Sequence, residues 1–153
     1  MSMDRIEKSI VLRAPRARIW RALTDAEEFG TWFGVALDGR VAFAPGVRVR
    51  GQVASPGYEH LTWDVTIERM EPERLLSWRW HPHAIEPDRD YADEPTTLVV
   101  FELEEVAEGT RLRVVESGFE RIPLARRAAA YRGNEAGWAA QLEAIARYVG
   151  GAA

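Results

Sequence analysis

The chain contains no cysteine, so it can form neither a disulfide framework nor a thiolate metal site or nucleophile. It also has no run of about 20 apolar residues, the length needed to cross a membrane. The first eleven residues are charged throughout and lack the apolar core of a secretory signal. We therefore expect a cytoplasmic protein that does not insert into membranes. A glycine-rich phosphate loop, a nucleophile elbow and a Ser/His/Asp arrangement are absent as well.

The composition is typical of one globular domain covering residues 1–153, with 46% hydrophobic and 29% charged residues. The formal net charge of −4 disfavours nucleic acid, which prefers basic faces. The arginines between residues 121 and 132 are not interleaved with aromatic residues, so we interpret them as a solvated face.

The sequence pattern of residues 134–149 predicts a helix, and the rest of the chain is organised around this helix. Its large apolar residues recur at steps of four, three and four, which places them on one helical face. Asn134 is the expected N-cap, and Gly150 is expected to end the helix. The apolar face consists of Trp138, Leu142, Ile145 and Val149.

The preceding residues predict an antiparallel sheet that needs this helix to cover its apolar face. Alternating apolar and polar residues indicate a first strand at residues 5–13. Two short helices, around residues 15–25 and 26–29, follow it. Further strands are expected at residues 41–43, 47–53, 60–70, 75–81, 96–104 and 111–118. The fold class is therefore α+β: about six to seven strands curve around a long C-terminal helix, with two short helices after the first strand.

Two of these segments, 41–43 and 47–53, resemble a hairpin that turns at residues 44–46. Gly51 lies in the apolar row of the second segment. A glycine there allows either another backbone or a ligand to approach closely.

Short motifs along nearly the whole chain resemble those of the START-like superfamily (birch-pollen-allergen-like, or SRPBCC), and most closely the activator of heat-shock-protein-90 ATPase homologue family. The resemblance implies the helix-grip architecture. It also implies an apolar cavity between sheet and helix that holds lipids, polyketides or aromatic molecules. The motifs are Ala14-Pro15, Trp20 to Asp25, Trp32-Phe33, Pro72 to Leu75, Trp78 to Trp80, Gly109 to Leu112, Ser117 to Phe119 and Gly137-Trp138.

Glu116 is the candidate for acid or base chemistry. Strand alternation places it on the face of Leu112 and Val114, which should point at the helix. A carboxylate there either reaches the cavity mouth or is buried and needs a partner. The alternatives are a salt bridge with an arginine such as Arg121, or a role as acid or base towards a bound ligand.

Three histidines offer little for a metal. His81 and His83 are one residue apart beside an acidic segment, but Pro82 restricts their geometry and no third histidine is near in sequence. The acidic segment also lacks the spacing of a calcium loop. We expect no metal and no cofactor.

Six tryptophans are present, and four of them fall on predicted inward faces. Buried indoles need acceptors for their N–H groups, which a ligand or water in a cavity would supply. Gln141, at the edge of the helical face, either reaches into that cavity or faces water. The expected ligand-binding residues are Phe33, Trp63, Trp78, Trp80, Phe101, Glu116, Trp138, Gln141, Leu142 and Ile145.

These patterns favour a monomer or homodimer that binds a small hydrophobic molecule without catalysis. The first alternative is an enzyme of cyclase or dehydratase type that uses Glu116 as acid or base. The second, from the family resemblance, is a co-chaperone that regulates a heat-shock ATPase.

Overall fold

A computed structural model describes residues 4–86 and 88–153. Seven antiparallel strands form one sheet in the order β1-β7-β6-β5-β4-β3-β2. The sheet curves around a long C-terminal helix, as the sequence predicts. The elements in chain order are β1 (Arg5–Leu12), α1 (Arg16–Thr24), α2 (Ala26–Phe33), β2 (Val35–Ala36), β3 (Arg48–Val53), β4 (Thr62–Glu71), β5 (Leu75–Trp80), β6 (Thr97–Val106), β7 (Gly109–Ser117), a short 3-10 helix (Phe119–Arg121) and α3 (Leu124–Val149).

The inward face of the sheet follows from the period of two in its strands. In β6, Val99 and Phe101 are buried while the residues beside them are partly exposed. In β7, Leu112, Val114 and Glu116 share the buried face. The outward face of the same strands carries the charged residues Glu102, Glu104, Arg111 and Arg113, so the inward, apolar face is the one that the helices cover.

Helix α3 is longer than the sequence predicts. It begins at Leu124, with Pro123 as N-cap, rather than at Asn134. The prediction of Asn134 as N-cap is therefore wrong. The helix continues through Gly133. The absence of a side chain at this position makes room for the ring of His83, because a β-carbon there would be 2.5 Å from His83 Nδ1.

The turn between the first two helices depends on Asp25. Its side chain accepts a hydrogen bond from the backbone N–H of Glu28 at 3.0 Å, which caps α2. Helix α2 then continues to Phe33, four residues beyond the expected end, and stops at Gly34 with φ of 91°. This length brings Phe33 under helix α3.

The predicted hairpin of residues 41–43 with 47–53 does not form. Strand β3 instead pairs with β2 and β4, and Ala42 makes only an isolated bridge to Asp25. Gly51 explains the close approach of β2, because a β-carbon at this position would lie 2.7 Å from the carbonyl oxygen of Ala36. The neighbours that Gly51 admits are thus the backbone of Ala36 and the side chains of Val35 and Leu37.

Within the described residues, no helix combines the length and apolar character needed to cross a membrane.

We expect Gly51→Ala to lower the free energy of unfolding by about 1–3 kcal/mol, because the added methyl group must push β2 away. Gly137→Ala is the matched control. Gly137 lies in helix α3 with open space around its Cα, so the same change should stabilise the protein by about 0.5–1 kcal/mol. Urea unfolding followed by circular dichroism measures both. Equal effects at the two positions would contradict this account of β2.

Candidate functional site

A continuous group of aromatic rings fills the space between the sheet and helix α3. Trp78 is at its centre: the ring centroid lies 5.5 Å from that of Trp63 and 5.7 Å from that of Trp80. Phe101 is 5.1 Å away on the neighbouring strand. Phe33 approaches from helix α2 at 6.3 Å. Most of these contacts are edge-to-face, the geometry that aromatic quadrupoles favour.

Helix α3 joins this aromatic group through Trp138. Its centroid lies 5.7 Å from Trp80, 5.6 Å from Phe101 and 6.2 Å from Phe33. The structure therefore brings together the six aromatic residues that the sequence placed in the site, although they come from three strands and two helices that are far apart in the chain.

The remaining predicted residues on α3 lie beside this group. Leu142 and Ile145 are buried in the same core. Gln141 is half-buried and donates a hydrogen bond from Nε2 to the carbonyl oxygen of Phe33 at 2.9 Å. Its side chain therefore ties α3 to the end of α2.

The indole N–H groups divide into two pairs. Trp80 and Trp138 both donate to Glu116, at 2.8 Å each. The Nε1 atoms of Trp63 and Trp78 are buried, and neither has an acceptor among the described residues. Leaving such a donor without a partner costs about 1–3 kcal/mol, so this half of the aromatic group carries unused hydrogen-bonding capacity.

Glu116 is fully buried and accepts hydrogen bonds from four side chains. Oε1 accepts from Trp138 and from Asn134 Nδ2 at 2.9 Å. Oε2 accepts from Trp80, from Thr97 Oγ1 at 2.5 Å and from Asn134 at 3.1 Å. The donors come from β5, β6 and α3, so the carboxylate joins the helix to three strands.

The inward direction of Glu116 agrees with strand alternation, but its partners are not those expected. All four donors are neutral, and Arg121 instead points at the carbonyl oxygen of Thr96. Thr97 and Asn134 were missed by the sequence reasoning. Asn134 could have been found from its spacing, because it lies four residues before Trp138 and so shares its helical face.

A groove of about 560 Å³ opens beside the aromatic group. Trp63 and Trp80 form its apolar wall together with Leu61 and Val53, and the segment after β5 forms the opposite wall. Arg48 and Asp64 lie on its rim as a bidentate pair at 2.9 and 2.6 Å. This hydrogen bonding by Arg48 lowers the pKa of Asp64 below its usual value, so the rim carboxylate is ionised at neutral pH.

The wall after β5 is anchored to helix α3 by Arg126. Its guanidinium donates to the carbonyl oxygens of Pro82 and His83 at 2.9 and 3.1 Å, and to Glu94 Oε1 at 2.8 Å. It also lies over the ring of Tyr91, 4.9 Å from the centroid. The groove therefore has two fixed walls.

Two of the three histidines that line the groove have different partners. His81 Nε2 lies 3.0 Å from the carbonyl oxygen of Glu94, whereas His83 packs against Gly133. Burial lowers the pKa of His83, and the charge of Arg126 lowers it further. Among the described residues, no group of three or more histidine, aspartate or glutamate side chains is arranged to hold a metal.

The family described as Activator of Hsp90 ATPase homolog 1-like protein matches residues 13–150. The chain belongs to this family. The match covers every element of the fold from the end of β1 to the end of α3. The family match establishes the architecture of the sheet and helix. The roles of the groove and of the side chains around Glu116 follow only from their own chemistry.

Solved structures of similar proteins share this family fold. DynU16, a protein in the dynemicin biosynthetic locus, is 26% identical with a TM-score of 0.71; the match covers 95% of this chain but 46% of DynU16, so this chain spans about half of its length. MLL2253 from Mesorhizobium loti is 25% identical with a TM-score of 0.71, and 94% of each chain is covered. A Bordetella parapertussis protein, 23% identical with a TM-score of 0.71, covers 100% of this chain and 78% of its own. The comparison with curated proteins finds no match.

We expect Thr97→Val to lower the free energy of unfolding by about 1–3 kcal/mol, because it removes a donor to a buried carboxylate at nearly constant volume. Thr66→Val in β4 is the matched control, since Thr66 is exposed on the outward face and should change stability by less than about 0.5 kcal/mol. Chemical unfolding of both variants gives their free energies of unfolding and so tests this expectation. Similar losses would mean that Glu116 does not depend on Thr97.

The lowered pKa of His83 predicts a loss of stability in mild acid. The unfolded chain takes up the proton near pH 6.5, whereas folded His83 resists it, so the free energy of unfolding should fall as the pH drops below about 6.5. His83→Asn should reduce this slope, and asparagine tolerates the positive φ of 53° found there. Thermal melting between pH 7.5 and 5.5 gives the comparison. An unchanged slope in the variant would assign the effect to other groups.

Proposed function

We propose that this protein binds a small hydrophobic molecule, of lipid, polyketide or aromatic type, against its aromatic group and without catalysing a reaction on it. The observation that carries the proposal is the pair of buried indole N–H groups of Trp63 and Trp78 without acceptors among the described residues. Because an unpaired buried donor is costly, a ligand that brings an oxygen to it gains affinity beyond its apolar contacts.

The groove brings a ligand to Trp63, which lines it, whereas Trp78 is fully buried behind the lining. The groove's volume of about 560 Å³ is within the range of about 300–1,000 Å³ typical of small-molecule sites. The rings behind it are in contact with one another, so the ligand lies at the mouth of the space between sheet and helix, with Trp63 and Trp80 under its apolar surface.

The hydrogen bonding of Glu116 favours binding over catalysis. Five hydrogen bonds from four side chains already occupy its two oxygens. An acid or base must exchange a proton with the substrate at hydrogen-bonding distance, and here donors from β5, β6 and α3 already surround the carboxylate. We therefore assign Glu116 to holding α3 against the sheet.

The similar protein DynU16 lies in a biosynthetic locus, which is a setting where a small molecule is available to bind. We propose that this protein binds such a molecule in the cytoplasm and acts without a cofactor. The ligand then needs only apolar bulk to cover the rings and one oxygen to accept from an indole.

The test compares two tryptophan variants whose stabilities should change in opposite directions. Trp63→Phe keeps an aromatic ring but removes an unpaired N–H, so without ligand its free energy of unfolding should stay the same or rise. Trp32→Phe is the matched control: Trp32 donates to the carbonyl oxygen of Ala22 at 2.7 Å, so its loss should cost about 1–3 kcal/mol.

The second measurement is the binding of 1-decanol, followed by tryptophan fluorescence and by the rise in melting temperature that binding to the folded state produces. We expect saturable binding to the wild type and to Trp32→Phe, and weaker binding to Trp63→Phe. The absence of any saturable shift in fluorescence or melting temperature, with decanol and with a wider set of fatty alcohols and phenols, would refute the proposed function.

A further inference from the structure

We propose that the ligand carries a positively charged nitrogen, an alkylammonium or quaternary ammonium group, that lies on the face of Trp80. This inference rests on the proposed function and adds the charge of the ligand. It depends on three observations: a buried carboxylate without a cationic partner, the cancellation of charge on the rim, and the position of the Trp80 ring between the two.

Glu116 places a negative charge behind the wall of the groove. The side chain has no exposed surface, and its hydrogen bonds come from two indoles, a hydroxyl and a carboxamide. Among the described residues, no arginine, lysine or histidine forms an ion pair with it. Buried charges are generally paired with an opposite charge or a bound ion, so this site accommodates a cation better than a neutral group or an anion.

The rim of the groove does not mask this charge. The lining contains three arginines, Arg48, Arg50 and Arg89, and three carboxylates, Asp64, Glu86 and Asp90, which cancel. Three histidines, His60, His81 and His83, also line the groove, and burial lowers the pKa of His83, which keeps it neutral at pH 7. The charge of Glu116 therefore determines the sign of the electrostatic potential at the apolar wall.

Trp80 connects the buried charge with the ligand. It is half-buried, lines the groove and donates its N–H to Glu116 at 2.8 Å. Hydrogen bonding to an anion increases the electron density of the indole ring, and an electron-rich indole is the best aromatic partner for a cation over its face. Trp63 and Tyr91 line the same groove, as in aromatic cages that bind quaternary ammonium groups. Tyr91 already carries Arg126 and Arg89 at 4.9 and 5.3 Å, which leaves Trp80 and Trp63 for the ligand.

The experiment compares three probes with the same chain and different charge: decyltrimethylammonium, 1-decanol and decanoate, each below its micelle concentration at pH 7.5. Affinities come from tryptophan fluorescence titration of the full chain. We expect the cation to bind most tightly and decanoate most weakly, with about a tenfold ratio between them. Equal affinities, or a preference for decanoate, would overturn the inference.

Glu116→Gln tests the origin of the preference, because it removes the charge at constant volume. The ratio of cation to anion affinity should fall towards one, whereas Glu104→Gln should leave the ratio unchanged. Glu104 is an exposed carboxylate on the outward face, paired with Arg111, and controls for net charge. A ratio that stays high in Glu116→Gln would overturn the inference.

Trp80→Phe provides a second variant in case Glu116→Gln does not fold. It keeps a ring in the wall but removes the link to Glu116, so the cation should lose more affinity than decanol. Equal losses for the two probes would count against the inference. If decanol binds as tightly as the cation, the proposed function stands and this inference fails. If none of the three probes binds, this inference fails, and the wider set of fatty alcohols and phenols then decides whether the proposed function fails as well.

Discussion

The hydrogen bonds that converge on Glu116 constrain the whole interface between sheet and helix. A carboxylate cannot be buried in an apolar interior at an acceptable cost unless donors surround it, and here the donors come from β5, β6 and α3. These hydrogen bonds therefore fix the position of α3 relative to the sheet at Glu116. Apolar contacts alone would allow the helix to rotate or slide with a smaller penalty.

This constraint also orients the aromatic group. Trp80 and Trp138 have their N–H edges turned to Glu116, with their ring planes inclined by 31°. Trp63 and Trp78 have no such acceptor among the described residues. The aromatic group thus has two chemically different halves. One half hydrogen-bonds to Glu116 and stabilises the fold, and the other half has N–H groups without an acceptor among the described residues. The proposed ligand site uses the second half and the face of Trp80 that the first half leaves open.

Sequence periodicity predicts the architecture because β strands and the C-terminal helix each bury one face. It also places Glu116, Phe101 and the four tryptophans Trp63, Trp78, Trp80 and Trp138 on inward faces. It fails where the outcome depends on neighbours distant in the chain. Val41 to Phe43 alternates like a strand, but the edge of β3 is occupied by β2, which Gly51 admits. Asn134 has the chemistry of a cap, but Glu116 offers it an acceptor in the middle of a helix. Its spacing to Trp138 indicates the helical face on which it lies, whereas the acceptor is on a strand and does not show in that spacing.

The assembly around Glu116 has a consequence for how the chain folds. Its donors lie at positions 80, 97, 134 and 138, so the cluster joins residues separated by as many as 58 positions and cannot form in any local segment. If α3 packed onto the sheet only in part, Glu116 would be buried without some of its hydrogen-bond donors. A buried carboxylate that lacks donors is strongly destabilising. Docking of α3 and closure of the sheet around it should therefore occur in one cooperative step, with no populated state in which only one end of the helix has been released.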